Sequence, residues 1–210
     1  MIRFWGHENF LAMMLSWLMA ATIGITVHEF AHAMRADKAG DPTPRINGRL
    51  TLNPLAHYDF IGTTMLLLLG LGWAKPVPTN PLNFRRPRYD SIMVAAWGAI
   101  ANIITAGVFA IVWRLLRGAN LAAGYDVLFS AIVWINLILA FFNLIPVAPL
   151  DGSHILLGLL PTQKAIQLEA FYQRFGVLLL FGVVFFGWRF IIFPVLLIYL
   201  LLTGAPGLYF

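Results

Sequence analysis

Three ionisable residues, His28, Glu29 and His32, lie within five positions in the segment TVHEFAHAM, near the end of a long apolar stretch. On an α-helix successive side chains are about 100° apart, so the two histidines share one face, one turn from each other. Two imidazoles in this arrangement can bind one Zn²⁺, and the glutamate can carry a proton from water to a leaving amine. Ionisable groups are costly in membrane segments and mark functional sites there. The pattern therefore predicts a metal-dependent hydrolytic site.

A catalytic zinc needs a third protein ligand and an open coordination position. Apart from Glu29, Asp151 is the only acidic residue in an apolar context, in NLIPVAPLDGSHIL. The prolines before it break the helix, which is tolerated at membrane depth where the backbone lines a cavity. We predict Asp151 as the third ligand, with a helix N-cap as its alternative role. His154 is the rival ligand but suits the membrane surface better, and His57 is expected to make a structural hydrogen bond.

The composition defines the setting of this site. Of 210 residues, 60% are hydrophobic and only 11% are charged, whereas soluble domains are about 25% charged. The chain is thus predicted to be an integral membrane protein. It has no cysteine, which excludes disulfides and leaves imidazole and oxygen as metal ligands. The net charge of +5 suggests basic cytoplasmic loops rather than a nucleic-acid partner.

The apolar runs predict an all-α polytopic fold with about five to six transmembrane or half-spanning helices. Clear spans are expected at 10–34, 92–113 and 127–150, whereas 60–74 is too short for a full crossing. Alternation in RINGRLTL around Asn47-Gly48 predicts a short re-entrant β-hairpin at 45–52.

We expect one domain over the whole chain, 1–210. Its core is 10–160, and a C-terminal helical hairpin at 175–208 keeps Arg189 away from the middle of the membrane.

The position of the site constrains the topology. His28 and Asp151 both lie near the C-terminal ends of their spans, so these two spans must run in the same direction with one complete crossing between them. Segment 60–74 should then be re-entrant, or a half-helix packed against the core. On this topology ten basic residues lie on the side of the motif and four on the other, which predicts a zinc near the cytoplasmic face. The ten are Arg35, Lys38, Arg45, Arg49, Lys75, Arg85, Arg86, Arg88, Lys164 and Arg174, and the four are Arg3, Arg114, Arg117 and Arg189.

Together, HEFAH, GAIAN in a central helix and NLIPVAPLDG resemble the site-2 protease family of intramembrane zinc metalloproteases, in its compact prokaryotic branch. The resemblance covers roughly 10–160 and implies that His28, His32 and Asp151 bind one Zn²⁺ per chain, with Glu29 as the catalytic acid and base. It also implies a multi-pass protein of the cell (plasma or inner) membrane. GAIAN departs from the family pattern, which usually has proline where this chain has Ala99. No segment resembles the PDZ or CBS domains that some relatives carry.

The predicted activity is hydrolysis of a peptide bond within or near a transmembrane segment of a membrane protein, so the expected partners are this substrate and the lipid bilayer, and no nucleic acid. Asn143 and Asn102 are candidates to hold substrate carbonyls or the developing oxyanion, and interhelical hydrogen bonding is the equal alternative. The hairpin at 45–52 is either an edge for an unwound substrate strand or a surface loop.

Two other functions compete with this prediction. A cation transporter or channel would need polar groups along a continuous path across the membrane, whereas the polar groups here cluster near one face. An inactive relative that binds membrane proteins is disfavoured by the intact Glu29.

Overall fold

The computed structural model describes residues 10–69, 72–117 and 124–205, and these residues form helices, turns and loops without any β-strand. The predicted all-α class is confirmed. In chain order the α-helices are α1 Phe10–Ala39, α2 Thr43–Ile46, α3 Phe60–Leu69, α4 Pro87–Leu116, α5 Gly124–Asn143, α6 Asp151–Leu159, α7 Thr162–Phe186 and α8 Trp188–Thr203. Two 3-10 turns, Pro54–Ala56 and Pro81–Asn83, lie in the connections.

Four of the described helices, α1, α4, α5 and α7, are long and apolar enough to cross a membrane. Helices α1 and α4 have 30 residues each, which corresponds to about 45 Å, so they exceed the ~30 Å hydrocarbon core. Helices α3, α6 and α8 are shorter, with 10, 9 and 16 residues. The protein is therefore a multi-pass membrane protein.

The centre of the fold consists of α1, α4 and α5. Helix α1 runs antiparallel to α4, because Gly24 and His32 contact Asn102 and Val94 in reverse order along the two helices. Helix α5 joins them through Asn136, which accepts a hydrogen bond from Asn102. Small buried residues allow these close approaches. They are Ala20, Ala21, Gly24, Ala31, Ala95, Gly98, Ala99, Ala106, Ala131 and Ala140.

The predicted β-hairpin at 45–52 is not present. Its first two positions, 45 and 46, are the last two residues of α2. Gly48 has φ +67°, and its N–H donates to the Arg45 carbonyl at 3.0 Å. The N–H of Arg49 donates to the Pro44 carbonyl at 2.8 Å, which completes the Schellman pattern of a helix C-terminus. Gly48, which suggested a hairpin turn, therefore ends a helical turn. The prolines upstream favour this helix because their rings preset helical φ angles.

The residues on either side of segment 58–74 lie close together. The N–H of Lys75 donates to the His57 carbonyl at 2.9 Å, which holds the two ends together. On the way out, the Tyr58 hydroxyl lies 2.6 Å from that of Thr22 on α1. Helix α3 covers about 15 Å, half of a bilayer core. That 60–74 is re-entrant stays a prediction, and residues 70–71 lie outside the described part of the chain.

Asp41 anchors the return of the chain to the end of α1. Its carboxylate is fully buried and accepts hydrogen bonds from the N–H and hydroxyl of Thr43, the N–H of Asn80 and the side-chain amide of Asn83. Burial alone would raise the pKa of Asp41, but these hydrogen bonds outweigh it and the pKa lies below its ordinary value. Nearby, the Arg35 guanidinium donates to Asp90 at 2.9 Å and joins α1 to α4.

A buried apolar cluster joins α8 to α4 and α5. It centres on Trp113 and Tyr199, which are 1% and 0% exposed and whose rings lie 6.5 Å apart. Helix α7 ends at Phe186 and α8 begins at Trp188, so the helical structure is interrupted at Gly187, two residues before Arg189. The domain limits and the C-terminal hairpin at 175–208 stay predictions, and residues 206–208 lie outside the described part of the chain.

Candidate metal centre

His28, His32 and Asp151 bring three potential ligand atoms to one point. The Nε2 atoms of the two histidines lie 3.0 Å apart. The Oδ2 atom of Asp151 lies 3.1 Å from Nε2 of His28 and 3.2 Å from Nε2 of His32. Among the described residues, this is the group of histidine and acidic side chains that could hold a metal ion. The two histidines are 7% and 8% exposed, so the cluster is largely shielded from solvent.

The second nitrogen of each histidine faces a protein acceptor. Nδ1 of His32 donates to the Val94 carbonyl at 2.8 Å, and Nδ1 of His28 donates to Oδ1 of Asn102 at 2.7 Å. The proton of each neutral ring is therefore on Nδ1, which leaves the Nε2 lone pairs directed at each other and at Asp151. Partners of this kind fix the ring orientation of metal-binding histidines.

These residues fit a zinc ion. Ligands at about 2.0–2.2 Å in tetrahedral geometry lie about 3.3–3.6 Å from one another, a few tenths of an ångström more than the 3.0–3.2 Å found here. The Oδ2 atom of Asp151 is buried and accepts no hydrogen bond from the residues that the structure describes. With both rings neutral and protonated on Nδ1, the three atoms present only lone pairs to one another, and a bound cation would offset their repulsion.

Asn102 uses its whole side-chain amide within the protein. Its Nδ2 donates to the Gly24 carbonyl at 2.9 Å and to Oδ1 of Asn136 at 2.8 Å, and its Oδ1 accepts from His28. Both amide hydrogens are engaged and the residue is fully buried, so no donor is free for a substrate. Of the two roles considered for Asn102, the geometry favours the interhelical hydrogen bond.

Gly98 forms the floor under the two histidines. A Cβ atom added at this position would lie 2.5 Å from Nε2 of His32 and 2.6 Å from Cε1 of His28. Only a residue without a side chain lets the α4 backbone come so close. Gly98 was not among the predicted site residues, although it begins the GAIAN segment, whose spacing to Asn102 places both on one face of α4. Ala99 does not interrupt α4, which is continuous here.

A tight loop presents Asp151 to the histidines as the first residue of α6. A Cβ atom at Gly152 would lie 2.4 Å from the carbonyl oxygens of Leu144 and Ile145, so the helix starts against the end of α5. The Asp151 side chain makes no capping hydrogen bond, and Leu150 occupies the N-cap position. The alternative role of Asp151 as a helix cap is therefore not realised.

The other predicted residues lie outside the three-atom cluster. Glu29 follows His28 on α1 and is partly exposed. Asn143 donates to the Leu139 carbonyl of its own helix at 3.0 Å. His154 is exposed on α6, and His57 is fully buried with Nε2 donating to the Thr51 carbonyl at 2.9 Å, a structural contact as expected.

Comparisons with known proteins agree with a zinc peptidase and do not favour the transport alternative. Residues 114–183 match Peptidase family M50. The chain is 39% identical over 170 residues to the protein named "Putative zinc metalloprotease YwhC" of Bacillus subtilis (strain 168), a match that covers 77% of this chain and 78% of that protein.

A second relative, named "Putative zinc metalloprotease Rip2", comes from Mycolicibacterium smegmatis (strain ATCC 700084 / mc(2)155). It is 29% identical over 154 residues, which cover 68% of this chain and 55% of that protein. No solved structure gives a significant match. The match to the family and the extent of the similarity to YwhC place the chain in peptidase family M50, the site-2 protease family of zinc metalloproteases.

Proposed function

We propose that the protein is an intramembrane endopeptidase that hydrolyses a peptide bond within or near a transmembrane segment of a membrane protein. The observation that carries the proposal is the convergence of three potential ligand atoms within 3.2 Å between helices of a multi-pass membrane protein. A zinc ion bound there would polarise a carbonyl group and lower the pKa of water to ~7.

Each residue has a distinct task in this proposal. His28, His32 and Asp151 would hold the ion as three protein ligands, the number typical of a catalytic zinc. Asn102 would orient the His28 ring so that its Nε2 faces the ion. Glu29, beside His28 on α1, takes a proton from the attacking water and delivers it to the leaving amine. Asn143 is the remaining candidate to hold a substrate carbonyl. Its side-chain amide has two hydrogens, and one of them is donated to the Leu139 carbonyl of its own helix, which leaves the other for a substrate.

The reaction needs water, and we propose that water reaches the site from the end of α1. His32 lies seven residues before the end of α1 at Ala39, which corresponds to about 10 Å of helix. The exposed cations Lys75, Arg85 and Arg86 lie in the connection that leads back to α4. We assign this side to the cytoplasm because basic loops stay there.

The absence of cysteine allows a direct test of this orientation. Single cysteines introduced as Arg85→Cys and Arg114→Cys are expected to react from opposite sides of inside-out membrane vesicles. The Arg85→Cys variant should be labelled by an impermeant thiol reagent on the exposed cytoplasmic face, and the Arg114→Cys variant only after the vesicles are opened. Labelling in the reverse order would place the site on the outer face.

A substrate helix must unwind before it is cleaved, because its carbonyls are hidden in its own hydrogen bonds. We therefore expect substrates whose transmembrane segments contain helix-breaking residues near the depth of the site. Quantitative proteomics of membranes from cells that carry Glu29→Gln in place of the wild type should reveal single-span proteins that accumulate uncut.

The matched control for Glu29→Gln is Glu169→Gln, the same exchange at an exposed position of α7. Purified Glu29→Gln is expected to retain one zinc per chain and to lose cleavage of a substrate found in this way, whereas Glu169→Gln should cleave like the wild type. Full cleavage by Glu29→Gln would refute the role of Glu29, and a wild-type protein that holds no zinc would refute the proposed function.

A further inference from the structure

Helix α7 contacts the loop that leads into Asp151. The hydroxyl of Tyr172 donates to the Pro146 carbonyl, and the Tyr172 side chain is buried. Gly176 lies one turn further on the same face of α7, and a Cβ atom there would lie 3.1 Å from both Cβ and the carbonyl oxygen of Ala148. The two residues therefore hold the Pro146–Ala148 segment from one side.

The path of the chain explains how α7 reaches this loop. Helix α6 carries the chain about 13 Å away from Asp151 over its 9 residues. The extended residues Leu160 and Pro161 then separate α6 from α7. Tyr172 is the eleventh residue of α7, about 15 Å from its start, so α7 runs back alongside α6 and returns to the level of Asp151.

The contact with the loop is where α7 is most buried. Tyr172 and Gly176 are the buried residues of α7, whereas its other large apolar side chains are mostly exposed. The exposed ones include Ile166, Phe171, Phe175, Val177, Leu178, Phe181, Phe185 and Phe186. The one polar group that α7 buries against the loop is the Tyr172 hydroxyl, and its hydrogen bond holds the loop in place.

The other hydrogen bonds of the loop are local. They run from Val147 to Ile145, from Leu150 to Val147, and from the N–H and hydroxyl of Ser153 to the Leu150 carbonyl. Pro146 and Pro149 lack an N–H and so donate no backbone hydrogen bond, whereas the Pro146 carbonyl accepts one from Tyr172. Asp151 follows directly, with its Oδ2 atom only 3.1 Å from His28, so a small movement of the loop changes the ligand geometry.

We propose that Tyr172 is a positioning residue of the metal centre, which acts through the Pro146–Leu150 loop to hold the carboxylate of Asp151 against the two histidines. This inference rests on the proposed function, since it assigns Asp151 as a metal ligand. It makes α7, a helix outside the ligand motifs, part of the support of the site.

The first test replaces Tyr172 by phenylalanine and uses Co²⁺ as a spectroscopic probe in the detergent-solubilised apoprotein. The control is Tyr199→Phe, which also removes one buried hydroxyl contact, here with Ser130. We expect Tyr172→Phe to bind Co²⁺ about 10-fold more weakly, the lower end of the effect of outer-shell partners on metal affinity, and to shift its d–d absorption bands. Tyr199→Phe should lower thermal stability but retain wild-type affinity and spectrum.

The second test uses two glycines of the same helix. Gly176→Ala places a methyl group 3.1 Å from Ala148, whereas the matching Cβ of Gly182→Ala meets nothing within 4 Å. Gly176→Ala is expected to weaken Co²⁺ binding and to lower kcat with little change in KM, because the substrate surface is unchanged while the ligand geometry is altered. Gly182→Ala should match the wild type in all three measurements.

The outcomes separate this inference from the function on which it rests. His28→Ala must abolish Co²⁺ binding, and a wild-type protein that binds no Co²⁺ would overturn both proposals. If the wild type binds Co²⁺ and Tyr172→Phe retains its affinity and spectrum, the positioning role is refuted while the peptidase assignment stands. Equal losses in Tyr172→Phe and Tyr199→Phe would also refute it, because they would indicate general destabilisation.

Discussion

Replacing Gly98 by alanine should destroy the metal centre while leaving the fold intact. The new Cβ would lie 2.5 Å from Nε2 of His32 and 2.6 Å from Cε1 of His28, about 1 Å inside ordinary van der Waals contact. The rings cannot rotate away freely, because Nδ1 of each is held by a hydrogen bond, to Val94 and to Asn102.

The size of the effect follows from this displacement. Zinc–ligand distances are tolerated only within about 0.2 Å of their ideal values, so a shift of about 1 Å in either imidazole removes that ligand from the coordination sphere. We expect the affinity of Gly98→Ala for zinc to fall by at least about 100-fold, which corresponds to ~2.7 kcal/mol.

The control lies on the same helix. A Cβ at Gly107 meets nothing within 4 Å, so Gly107→Ala makes the same exchange in α4 without steric conflict. The assay is competition of each purified variant with a chromophoric zinc chelator, together with thermal unfolding of the apoproteins. Gly107→Ala should bind zinc like the wild type, and both variants should unfold within a few degrees of it, since alanine also favours the helix.

Wild-type zinc affinity in Gly98→Ala would refute the reasoning, because it would mean that the α4 backbone does not form the floor of the site. A large loss of thermal stability specific to Gly98→Ala would also contradict it, since the conflict is with two side chains of the metal centre and not with the packing of the helices.

Three further predictions concern the surroundings of the site. Asn102→Leu should lower zinc affinity about 10- to 100-fold, measured by the same competition, because it leaves Nδ1 of His28 without its acceptor; an unchanged affinity would contradict the orienting role. Asp41→Asn should lower the free energy of unfolding by about 1.5–3 kcal/mol at neutral pH. The pKa of Asp41 is lowered in the folded state, so this difference should be complete above about pH 4 and shrink as the pH falls through the lowered value, which unfolding midpoints at decreasing pH would measure. Gly48→Ala should destabilise the protein by about 1 kcal/mol despite open space around it, because φ is +67° there; equal unfolding midpoints for variant and wild type would contradict the strain.

The residues of the cluster could be predicted because the membrane leaves so few ionisable candidates. His28 and His32 are fixed by helical spacing, and Asp151 stands out as an acidic residue among apolar ones. The sequence predicts that their ligand atoms meet, and the structure shows them together. The same requirement, that the two ligand-bearing spans are parallel, predicts that the chain between α1 and α4 begins and ends on one side of the membrane.

Other features depend on contacts between helices and left no local signal. Gly98 and Tyr172 act through residues distant in sequence, and neither differs in type from an ordinary glycine or tyrosine of a membrane helix. The hairpin at 45–52 was mispredicted because a left-handed glycine is compatible with both a hairpin turn and a helix C-terminus. What decided between them was the register of hydrogen bonds to Pro44 and Arg45.

The hydrogen bond between Lys75 and His57 also makes the chain between them a separable module, apart from Tyr58, which contacts Thr22 on α1. Because the two ends of the module meet, its length and sequence can vary without altering the distance between the helices on either side. The metal ligands belong to α1 and α6, outside the module. A protein engineer could therefore exchange residues 59–74 for the corresponding segment of a relative while the metal-binding scaffold stays as it is.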